Sequence, residues 1–111
     1  MTSVTKANFI NQNEFEQLIA DNKLVVVDYT ASWCGPCRMI APLIDRLAAE
    51  YSNSVSVVKI DIEKNQDNAK KYEIKDIPAV LVFRDGEVVE KLLGLQTYEN
   101  FSNILEVQLK L

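Results

Sequence analysis

The sequence predicts a single α/β domain over residues 1–111, with a mixed central sheet flanked by helices in the order βαβαβαββα. Part of the sheet is parallel, and an antiparallel hairpin completes it. Three observations carry this reading. Runs rich in valine and isoleucine alternate with segments whose apolar residues recur at helical spacing, the pattern of strands connected through helices. Asp85-Gly86 separates two apolar runs, and that dipeptide is a strong signal for a two-residue hairpin. At 111 residues, 48% of them hydrophobic, the chain can bury one core and is too short for two ordinary domains.

Taken in order, a short strand is expected near Val4 to Ala7, then a helix from about Glu14 to Asp21 that Asn11 or Asn13 would cap. Leu24 to Thr30 reads as a buried strand. The next helix runs through Arg38 to Glu50 with Met39, Leu43 and Leu47 on one face, and Pro42 removes one backbone donor and should kink its axis. Ser56 to Asp61 sets Val57, Val58 and Ile60 around Lys59 as a strand, and Gln66 to Tyr72 reads as a short helix. Ala79 to Phe83 and Glu87 to Leu92 form the hairpin. Thr97 opens a last helix, Glu99 to Leu109, with Phe101, Ile104, Leu105 and Leu109 on its apolar face. No repeat, linker or low-complexity segment interrupts this order.

Charge and hydropathy narrow the function. Twelve basic residues against sixteen acidic ones give a net charge of −4 with no basic run, which argues against a nucleic-acid partner. No apolar segment approaches the roughly 20 residues that span a bilayer, and no apolar signal region follows Met1. The expectation is a cytoplasmic monomer with no membrane partner, or a protein of an organelle stroma had a transit peptide been removed.

Chemistry concentrates in Trp33-Cys34-Gly35-Pro36-Cys37, which holds both cysteines and the one tryptophan. Where a strand runs into a helix, thiols two residues apart can meet the roughly 4.4–6.8 Å Cα separation of a disulfide, so geometry permits a reversible dithiol. Cys34 should then lie at a helix N-terminus, where unpaired N–H groups favour a thiolate and make it the nucleophile, with Cys37 one turn inward and less exposed. A stapling disulfide is the poorer reading, because so short a loop constrains the unfolded chain little. Structural zinc takes four ligands, and with no histidine and no further cysteine a zinc ion would have to bridge two chains, so no metal is expected. Asp28, set in a continuous apolar strand, is costly there unless its proton affinity changes, and burial would poise it as an acid or base near neutrality.

These residues, with Val27-Asp28-Tyr29, Arg38, Ala41-Pro42, Lys59-Ile60-Asp61, Ile77-Pro78, Phe83-Arg84-Asp85-Gly86 and Gly94, make the chain resemble the thioredoxin family over nearly its whole length. The resemblance implies the thioredoxin fold and a disulfide reductase whose redox group is the Cys34–Cys37 dithiol, with no bound cofactor. It implies that Asp28 accepts the proton of Cys37, the resolving thiol, and that Lys59 tunes Asp28. Gly35 and Pro36 would set the redox character of the motif. Pro78 would be cis, and Trp33, Asp76, Ile77, Pro78, Gly94 and Leu95 would line the surface that docks a target. The implied partners are disulfide-containing target proteins and a thioredoxin reductase fed by NADPH or, in photosynthetic cells, ferredoxin.

Four positions depart from the family pattern. Thr30 stands where a second tryptophan is common, Glu73 where glycine is common, Asp76 where Gly or Ser is usual, and Ala79 where threonine is usual. Two other classes stay open on sequence: an oxidising or isomerising relative, and a binding module using the same fold. Gly35-Pro36 argues against the first, since oxidants of this fold usually carry a histidine in that dipeptide, and the intact dithiol argues against the second.

Overall fold

The computed structural model describes residues 4–111. Its elements are β1 (Asn8–Phe9), α1 (Gln12–Asp21), β2 (Leu24–Thr30), α2 (Gly35–Glu50), β3 (Ser56–Asp61), α3 (Gln66–Lys71), β4 (Ala79–Arg84), β5 (Glu87–Leu93) and α4 (Tyr98–Leu109). One five-stranded sheet runs β1-β3-β2-β4-β5. β1, β3 and β2 are parallel, and β4 and β5 are added antiparallel, so both sheet characters expected from the sequence are present.

Strand alternation divides the core in two. On β2, Leu24 and Val26 point to one face and Val25, Val27 and Tyr29 to the other, because successive side chains leave a strand on opposite sides. The first face packs on Ile40, Ile44 and Leu47 of α2 and on Phe101 and Leu105 of α4. The second packs on Phe15 and Ile19 of α1, with the Phe15, Tyr72 and Phe83 rings about 5 Å apart in edge-on and tilted contacts. Asp28 continues the Leu24, Val26 series and so faces α2. Lys59 follows Val57 on β3 to the same face, directly beside Asp28 in register.

Several boundaries differ from expectation for local reasons. The first strand is Asn8–Phe9 rather than Val4 to Ala7, because the Ala7 N–H donates to Asp45 Oδ1 (3.0 Å) and not to a neighbouring strand, while Val4 is exposed. α1 begins two residues early: Asn11 accepts from the Asn13 and Glu14 N–H groups, and Glu14 reaches back to the Asn11 N–H, a complete capping box. On α2 the buried residues include Ile40, Ile44, Leu47 and Ala48; of the expected stripe Leu47 is buried and Leu43 packs partly against the same core, whereas Met39 is 66% exposed. Leu109 of α4 is likewise exposed. The hairpin turns through Asp85 (φ 51°) and Gly86 (φ 83°), both left-handed as a type I′ turn requires. Glu73, just past α3, also has positive φ (54°), which is why glycine suits that position.

Candidate active site

The loop after β2 carries Trp33 and turns into α2, for which Cys34 is the N-cap and Gly35 and Pro36 the first two residues. Proline is preorganised for this place because its missing N–H would have no helical partner there. Cys34 and Cys37 are joined as a disulfide with Cα atoms 5.3 Å apart. The Cys37 N–H donates to Cys34 Sγ at 3.2 Å, so the first turn of the helix addresses its dipole and a free N–H to that sulfur.

The expected difference in exposure is absent from this oxidised form, since Cys34 is 4% and Cys37 3% exposed. Cys34 packs against Ala31 and the half-buried Ile77, whose carbonyl oxygen lies 3.9 Å from Cys34 Sγ. What distinguishes the two sulfurs is their surroundings. Cys37, and not Cys34, lines a cavity of about 260 Å³ with Asp28, Thr30, Ala41, Lys59 and Asp61.

Asp28 is 2% exposed, and its Oδ1 has no hydrogen-bond partner among the described residues. Burial pushes its carboxyl up to about 7, while the Lys59 ammonium pulls it back and the Asp45 carboxylate adds to the rise. Lys59 is therefore beside Asp28, but its ion-pair partner is Asp45, with Nζ 3.5 Å from Oδ1. Asp45 was not singled out from the sequence. The available signal was its spacing: Cys37, Ala41 and Asp45 are four residues apart and share one helix face.

The Ile77–Pro78 peptide bond is cis, and the Pro78 carbonyl accepts the Gly94 N–H at 2.8 Å, which brings the loop before β4 against the loop after β5. Trp33 (62% exposed), Leu95 (56%) and Asp76 are at the surface, whereas Pro78 is buried and Ile77 and Gly94 are half-buried. The structure thus gathers Cys34, Ile77, Pro78 and Gly94 in one place. It gathers Cys37, Asp28 and Lys59 in a second, beneath the first. No cluster of three or more potential metal-ligating side chains occurs among the described residues.

Residues 6–107 match the Thioredoxin family model. Curated relatives include a thioredoxin of Staphylococcus epidermidis, 39% identical over 90% of this chain and 95% of that protein. Another is from Staphylococcus aureus, 38% identical over 98% of both chains. Among solved structures, a thioredoxin variant from Halobacterium salinarum superposes with a TM-score of 0.85 at 33% identity, covering 96% of this chain and 94% of that one. The oxidised mitochondrial thioredoxin 3 of Saccharomyces cerevisiae gives 0.80 at 31% identity, over 91% and 93%.

Proposed function

The chain belongs to the thioredoxin family and is a thiol-disulfide oxidoreductase, and we propose that it reduces target proteins with Cys34 as nucleophile, Cys37 as resolving thiol and Asp28 as proton acceptor. In the reduced form the Cys34 thiolate attacks one sulfur of a target disulfide. A Cys34–target mixed disulfide forms and one target thiolate leaves. Cys37 then gives its proton to the Asp28 carboxylate and attacks Cys34 Sγ, which breaks the mixed disulfide and releases the second target thiolate. The proton passes from Asp28 toward solvent or product. Two electrons have moved from the dithiol to the target, leaving the Cys34–Cys37 bond seen here.

The observation that carries this reading is the asymmetry of the pair. Cys34 occupies the helix N-cap beside the docking loop, and Cys37 shares its cavity with an unpartnered buried carboxyl. On the outer side, the Ile77 backbone carbonyl lies beside the Cys34 sulfur, where an extended target segment can pair. Trp33 and Leu95 supply exposed apolar contact, and Asp76 adds a negative charge that favours targets with basic flanks. A thioredoxin reductase, fed by NADPH or ferredoxin, regenerates the dithiol, and the working form is a cytoplasmic monomer. No helix among the described residues is long and apolar enough to cross a membrane.

Reduction of insulin disulfides tests the assignment. Cys34→Ser should abolish turnover. Cys37→Ser should accumulate mixed disulfides, because attack survives and resolution does not. Accumulation with Cys34→Ser and none with Cys37→Ser would reverse the two roles.

A further inference from the structure

Asp28 and Lys59 stand side by side on β2 and β3, yet the Lys59 ammonium is drawn to another carboxylate. Its Nζ lies 3.5 Å from Asp45 Oδ1 on α2, and its side chain is largely covered. The same Asp45 oxygen accepts the Ala7 N–H at 3.0 Å, so backbone leading into β1 anchors the carboxylate. Asp28 Oδ1 meanwhile has no partner among the described residues. A lysine stem is long and flexible, and an ammonium closing onto Asp28 would favour the ionised carboxyl and weaken it as a base.

We propose that Asp45 is a positioning residue: its ion pair keeps the Lys59 ammonium on α2, so that Asp28 stays unpaired and able to take the Cys37 proton. This rests on the reading of Asp28 as the acceptor for Cys37. The other charged groups around the cavity are already engaged. Arg38 Nη1 donates to the Ser32 carbonyl at 2.9 Å, and Asp61 Oδ1 accepts the Glu63 N–H at 2.9 Å. Phe9 of β1 and Val80, the β4 residue opposite Asp28, carry no charge, and Cys37 is the remaining titratable neighbour on α2. Asp45 is thus the group that decides which carboxylate Lys59 meets.

The test is a carbon-13 NMR titration of the Asp28 carboxyl in the oxidised protein, where neither thiol titrates. Asparagine retains an oxygen for the Ala7 N–H, so Asp45→Asn removes the charge and spares the anchor. The Asp28 midpoint should fall by about one pH unit, the low end of what an opposite charge brought close produces. In a Lys59→Gln background the same substitution should lose most of that effect, a non-additivity that a purely structural role would not show. Asp45→Ser, with a hydroxyl acceptor, should repeat the Asp45→Asn result. An unmoved midpoint in both Asp45 variants would overturn the proposal, as would an equal fall with and without Lys59. The two readings fail separately. An unmoved midpoint removes Asp45 alone, whereas resolution unaffected by Asp28→Asn removes Asp28 as the base and with it the purpose of the pair.

Discussion

A carboxyl that holds its proton up to about pH 7 in the folded chain, but only to about pH 4 when unfolded, makes stability fall as pH rises between those values. Below this window Asp28 is neutral in both states. Within it the unfolded chain releases a proton that the folded chain keeps, and above it both states are ionised with the charge buried. At about 1.4 kcal/mol per pH unit, the burden reaches about 4 kcal/mol at pH 8. Asp28→Asn in the oxidised protein should therefore gain stability over the wild type as pH rises, with little difference at pH 4 and up to about 4 kcal/mol at pH 8. Urea unfolding at the two pH values measures it, and a difference independent of pH would show that the carboxyl is not perturbed. Asp28 was legible in the sequence because an acidic residue inside an apolar strand is conspicuous. Asp45 was not, since an aspartate on an amphipathic helix reads as solvated surface until the fold brings Lys59 of β3 against it.

At the scale of elements, legibility followed how fully each segment is enclosed. β2 and β3 have the boundaries read from sequence, Leu24–Thr30 and Ser56–Asp61, because both lie inside the sheet with β-branched residues filling their faces. β1 was misplaced because a two-residue edge strand carries almost no periodic signal, and a side chain captures the backbone before it. On α2 the expected Leu47 is buried and Leu43 partly so, but Met39 is apolar and exposed, and Ile40 and Ile44 fill the core in its place. The end of α3 carries a cost of its own. Glu73 adopts left-handed backbone, which a β-carbon disfavours, and its carbonyl accepts from Lys91 Nζ at 3.3 Å, a contact that any residue there can keep. Glu73→Gly should raise stability by about 0.5–1 kcal/mol, the strain relieved exceeding the added freedom of the unfolded chain. A higher urea midpoint at unchanged slope would show it, and a lower midpoint would mean that the glutamate side chain itself supports the turn.

Across the whole molecule, the groups of the proposed chemistry converge on the first turn of α2. The loop leaving the carboxyl end of β2 meets the loops before β4 and after β5 at the surface, which places Cys34 beside the cis-proline. Alternation along β2 and β3 sends Asp28 and Lys59 to the α2 side, beneath Cys37. The proposed exchange with a target and the proposed proton transfer would thus use opposite sides of one disulfide. A mildly reducing function also requires the Gly35-Pro36 motif to favour the oxidised form more than an oxidant's motif would. The reduction potential of the Cys34–Cys37 couple, measured by equilibration against glutathione or dithiothreitol, tests that claim most directly. A value of about −270 mV, typical of thioredoxins, is the predicted result. A value at or above about −180 mV, in the range of disulfide isomerases and oxidants, would contradict it.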